Sequence, residues 1–253
     1  MRRVAAGALL WLGVVAAIVP ASAEKSVDPK QAAQVNAQLA LTYLQQGNLQ
    51  AAREKADKAL KQNPRTADTQ MAAGFVYDRL GEDKKAKQHF EQAVKLGGKD
   101  NPDILNNAAV FQCRKGDRKQ GVEYFLQAAA SPLYRTPEVA YANAGYCARS
   151  DGRPADAEEY FRRALAIKPN MPAPLYELAD LSLEIGNPLQ ARAFLQRYNA
   201  AVTASAASLL LGYRIETALG ESAAAAEYAR RLHTDFAGSA ESVQLRDAER
   251  QAQ

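Results

Sequence analysis

From residue 33 onward the chain alternates two kinds of apolar pattern. One is a run of small and apolar residues, such as Ile104, Leu105, Ala108 and Ala109, at the three- and four-residue spacing of an amphipathic helix. The other is a seam in which a small residue is followed by an aromatic and then an alanine: Ala86, Phe90, Ala93; Gly121, Phe125, Ala128; Ala157, Phe161, Ala164. A glycine separates each pair of patterns. Gly47, Gly81, Gly116, Gly152, Gly186 and Gly220 stand 34 to 36 residues apart. Glycine takes the left-handed conformation just past a helix end at little cost, so these six predict the ends of six first helices. The pattern predicts six helical hairpins starting near Ala33, Ala67, Pro102, Glu138, Pro172 and Ala206.

A helical hairpin repeated about every 34 residues, with small, aromatic and proline positions in this order, is the tetratricopeptide pattern. The expected fold is all-α: a tetratricopeptide superhelical solenoid of about six hairpins over residues 33–253, closed by a polar capping helix at 239–252. The end repeats are degenerate, as a terminal hairpin with one neighbour can be. The fifth carries Leu195 and Tyr198 on its second helix, and the sixth has Tyr213 where a small residue is expected. Asn101-Pro102-Asp103 and Thr136-Pro137-Glu138 each offer a capping side chain, a first-turn proline and an acid at a helix start. Ser131 to Tyr134 accounts for the longer interval between the third and fourth hairpins.

The amino terminus reads differently. Arg2 and Arg3 precede an apolar run from Val4 to Val19 and then Ala21-Ser22-Ala23, the order of a cleavable secretory signal over residues 1–23. The competing reading, an uncleaved anchor helix, is weakened by a short run broken at Gly7 and Gly13. Residues 24–32 follow as a polar linker. Loss of the signal lowers the formal charge from +4 to +2. So small a surplus gives no basis for nucleic-acid binding or direct attraction to an anionic membrane. Cys113 and Cys147 lie one repeat apart on the first helices of adjacent hairpins. In an oxidising compartment they form a disulfide, or else they are two buried thiols serving as small apolar side chains.

The residues do not assemble a catalytic or metal site. His89 and His233 fall on different repeats with no second ligand type at metal-binding spacing, and there is no phosphate loop or nucleophile motif. Pairs such as Glu158-Glu159 beside Arg162-Arg163 read as an ion-paired solvent face. No cofactor and no enzymatic activity are expected, which leaves a protein-binding module. The first helices of such a stack line its concave side. Their candidate groove residues are Leu41, Leu44, Met71, Phe75, Arg79, Asn106, Val110, Arg114, Tyr146 and Tyr176, with Arg149 and Leu183 beside them. The amino-terminal half is apolar and suits a greasy strand or an amphipathic helix. Against this, several of these residues, Met71 and Val110 above all, serve equally as inter-helix core.

At Asn106-Asn107, Ser131-Pro132-Leu133-Tyr134, Asn143-Ala144-Gly145 and Ala155 to Phe161, the chain resembles the periplasmic type IV pilus biogenesis and stability proteins, the PilW/PilF pilotins. The runs Ser208 to Ile215 and Ala224 to Leu232 are similar to that family's sixth repeat. The resemblance implies a periplasmic superhelix that helps the outer-membrane pilus secretin assemble, docking it in the amino-terminal groove. It departs from the family at Ala21-Ser22-Ala23-Glu24, where pilotins usually carry a lipidated cysteine. Membrane association is therefore expected only through the partner. The alternative is a general periplasmic scaffold for another envelope or polysaccharide machine.

Overall fold

A computed structural model describes residues 28–251, so the expected signal and the first four residues of the linker, 24–27, lie outside the described residues. Thirteen helices are described, six antiparallel pairs and a final single helix. The pairs are α1 (Pro29–Gln45) with α2 (Leu49–Gln62), α3 (Ala67–Arg79) with α4 (Asp83–Gly97), and α5 (Pro102–Lys115) with α6 (Arg118–Ala130). They continue as α7 (Pro137–Ser150) with α8 (Pro154–Ile167), α9 (Pro172–Glu184) with α10 (Pro188–Ala201), and α11 (Ala206–Ala218) with α12 (Ser222–Asp235). The last helix, α13 (Ala240–Gln251), packs on both α11 and α12. The chain is a tetratricopeptide superhelix.

Three expectations are corrected at helix ends. The first helix starts at Pro29, inside the segment read as linker, because the Asp28 carboxylate accepts the Lys30 N–H at 3.0 Å and Pro29 fits the first turn. Five of the six metrical glycines have positive φ, but Gly116 has φ −120°. There the Gln112 side chain accepts the Asp117 N–H at 3.1 Å and occupies the space a Cβ would need, so the missing side chain, not a left-handed turn, requires glycine. Asn101 caps α5 through a 3.1 Å bond from the Asp103 N–H, whereas the Thr136 side chain caps nothing. At that turn the Thr136 carbonyl accepts the Val139 N–H instead, at 3.0 Å.

In the first pair alanines meet, Ala40 on α1 with Ala52 and Ala56 on α2, while in later pairs a small residue on the first helix meets a larger one on the second. In the second, fourth and sixth repeats Gly74, Gly145 and Gly212 lie directly under the rings of Phe90, Phe161 and Tyr228. The sixth repeat thus corrects the sequence reading: its small residue is Gly212, and half-buried Tyr213 points into the end cluster with Leu209 and Leu245. A methyl added at Gly145 would stand 2.5 Å from the Phe161 ring.

The repeats stack in two rows. First helices pack on first helices at three of the five junctions, α1 on α3, α5 on α7 and α9 on α11, while each second helix packs on the following first helix. Among the described residues no second helix packs extensively on another second helix. The first-helix row is therefore the tighter, inner side of the curve. One buried cluster runs from Ala109 to Ile215 through the third to sixth repeats, and separate smaller ones serve the first two, one of them reaching Ile104, Ala108 and Phe111 on α5.

Candidate protein-binding face

Helical periodicity brings residues one repeat apart into lines across the inner row. Phe75, Val110 and Tyr146 form one such line on α3, α5 and α7, and Arg79, Arg114 and Ser150 form a second line one helical turn later. The Arg114 guanidinium bonds the Asp78 carboxylate, which ties α5 to α3 at this level. The Cys113–Cys147 disulfide ties α5 to α7, with the two Cα atoms 5.5 Å apart. Gly121 makes room for the bridge, since a Cβ there would lie 2.5 Å from the Cys113 Sγ. The other five repeats have alanine at the corresponding place: Ala52, Ala86, Ala157, Ala191 and Ala225.

The amino-terminal candidates are largely committed to packing. Leu41 packs on Ala37, Ala59 and Ala72, and Leu44 on Ala40, Ala52, Ala56 and Val76. Met71 is only 8% exposed, inside the cluster of Tyr77, Phe90 and Phe111. It belongs to the inter-helix core and not to a groove. Half-buried Phe75 lies edge-on to Phe90, with ring centroids 5.3 Å apart.

The open apolar surface lies further along. Val110 is 44% and Tyr146 36% exposed, although Tyr146 also rests edge-on against Phe161 at 5.1 Å. With Phe125, Asn143, Ser150, Arg114 and the disulfide they line a cavity of about 220 Å³. Asn143, Phe125 and Ser150 were not among the sequence candidates. Asn143 could have been found, because it stands at the same helix position as Asn107 one repeat earlier. Asn106 is half-buried near the start of α5, and its Oδ1 is enclosed with no hydrogen-bond partner.

Beyond Tyr146 the face becomes ionic. Arg149 on α7 binds three acids of α9: Glu177, Asp180 at 2.5 Å and Glu184 at 2.7 Å. Burial, reinforced by the Glu177 charge, pushes the Tyr146 phenol up to about 12. Tyr176, on α9 beside this cluster, stands against Tyr198 at 5.6 Å and does not line the cavity.

Two other arrangements lie away from this face. His233 has Nδ1 3.0 Å from the Ser242 Oγ and Nε2 3.3 Å from Glu249, a serine–histidine–acid set that sequence spacing did not reveal. Ser242 is 0% exposed, so no substrate reaches its hydroxyl, and the set fastens α13 to α12. A larger cavity of about 610 Å³ lies where the Gly97–Gly98 turn meets the end of α6, off the inner row. Among the described residues no group of three His, Cys, Asp or Glu could hold a metal, and no helix is long and apolar enough to cross a membrane.

The fold and this face define a tetratricopeptide protein whose inner helices present side chains for contact. The tetratricopeptide repeat family matches residues 38–101, 112–172 and 148–212. The type IV pilus assembly protein PilF of Pseudomonas aeruginosa is 29% identical over 222 residues, covering 88% of this chain and 87% of PilF. The solved structure of P. aeruginosa PilF superposes with a TM-score of 0.70 at 28% identity, over 87% of this chain and 99% of that one. The structure of PilW, a widely conserved type IV pilus biogenesis factor, gives 0.71 at 31% identity, over 85% and 98%. The chain belongs to this family of tetratricopeptide type IV pilus biogenesis proteins. Such proteins are generally scaffolds and not enzymes.

Proposed function

We propose that the chain is a non-enzymatic periplasmic assembly factor that captures the outer-membrane pilus secretin on its inner helix row and promotes secretin multimers. The observation that carries the capture surface is the apolar pair Val110 and Tyr146, exposed in register on the neighbouring first helices α5 and α7 and lining one cavity beside the disulfide. A fold that exposes such a pair on its rigid inner row has a ready contact point for a protein. Export by residues 1–23 and a periplasmic site are supported by the Cys113–Cys147 bridge, a bond that persists in oxidising compartments. In this reading the docking centre is the third and fourth repeats, supported by the exposure of Val110 and Tyr146 and by the packing of Leu41, Leu44 and Met71 into the stack.

The test replaces Val110 and Tyr146 with glutamate in cells that build type IV pili. Secretin multimers should fall at least tenfold while the variant keeps its helical circular dichroism and its cellular level. Normal multimers with a folded variant would reject the assignment.

A further inference from the structure

The face also specifies what kind of segment fits it, and this inference rests on the reading of the inner row as a capture surface. Phe75, Val110 and Tyr146 form an apolar line, and Arg79, Arg114 and Ser150 form a polar line one turn away. Arg79 is exposed and has no carboxylate partner among the described residues. The Arg114 side chain is 53% exposed, and its guanidinium is steadied by Asp78 from beneath. The two lines therefore differ in chemistry over three successive repeats. They end at α9, where the residue following Tyr146 in the apolar line is Asp180, already held by Arg149.

Packed helices lie roughly 8–10 Å apart, so crossing three of them takes on the order of 20 Å. An extended chain covers that in about six residues at ~3.3 Å each, and its side chains alternate between its two edges. We infer that the occupant is an extended acidic–apolar protein segment of about six residues, laid across α3, α5 and α7. Its apolar side chains face Phe75, Val110 and Tyr146, one entering the cavity beside the disulfide, and its carboxylates face Arg79 and Arg114. A basic segment meets two arginines instead, and like charges at short range select against it.

The probe is a fluorescein-labelled decapeptide of alternating leucine and glutamate, with serine-for-leucine and lysine-for-glutamate versions as controls, titrated by anisotropy against the oxidised protein. The leucine–glutamate peptide should bind at least tenfold tighter than either control and weaken several-fold as salt rises from about 0.05 to 0.5 M. Arg79→Glu with Arg114→Glu, both at exposed positions, should invert the preference toward the lysine peptide. Val110→Asp should weaken binding tenfold or more. Equal binding of the three peptides, or an unchanged preference in the charge-reversed protein, overturns the inference. Secretin multimers are read separately. Normal multimers in a strain whose charge-reversed protein has lost the peptide preference would reject this occupant but leave the assembly role standing.

Discussion

The second and fourth repeats begin from one local design and end with different surfaces. Each has a glycine under a phenylalanine, Gly74 under Phe90 and Gly145 under Phe161, and each puts an aromatic edge-on to that ring from the next residue, Phe75 or Tyr146. One turn earlier the second repeat has Met71, buried, where the fourth has only Ala142. The second repeat thereby joins Met71, Phe75, Phe90 and Phe111 into one cluster. In the fourth, Tyr146 stays open beside Val110 and the disulfide. An identical hairpin can thus serve either cohesion or contact, depending on how much apolar volume the inner face carries.

The comparison is broken most strongly at the disulfide. Replacing Cys113 and Cys147 with serine should lower the unfolding free energy by about 3–4 kcal/mol in the chain-entropy picture. Urea unfolding of the double variant, against the oxidised parent, reads this directly. Met71→Ala should cost about 3 kcal/mol as a core truncation while leaving partner capture intact in the folded fraction. Gly145→Ala and Gly74→Ala sharpen the contrast, since the added methyl would lie 2.5 Å from Phe161 in one case and 3.0 Å from Phe90 in the other. Overpacking should cost about 2 kcal/mol at Gly145 and about 1 at Gly74, resolved by the shift in urea midpoint. Val110→Ala is the smallest in stability, about 0.5 kcal/mol or less at an exposed position, but it should weaken capture of the secretin.

Most of the architecture was legible in the sequence because its determinants are local and periodic. Metrical glycines, the seam of Phe90, Phe125 and Phe161, and prolines at 102, 137 and 172 each act within a turn or two of their own position. Gly116 misled because its conformation goes with the Gln112 side chain accepting the Asp117 N–H, which spacing does not encode. The face was less legible. Met71, Phe75, Val110 and Tyr146 are alike to a periodicity argument, and which of them is covered depends on what the neighbouring hairpin contributes. The role of Gly121 shows the same dependence: its meaning appears only when the Cys113 sulfur is placed beside it. His233 and Ser242 meet only because α13 folds back on α12.

Site-specific photocrosslinking in cells that assemble type IV pili tests the central claim most directly. A benzophenone side chain is placed either at Val110 or at Leu133, a more accessible apolar position in the turn before α7. A crosslink to the secretin from position 110 and none from position 133 is the predicted result. Capture from 133 alone, or from both sites equally, would contradict a partner seated on the inner row.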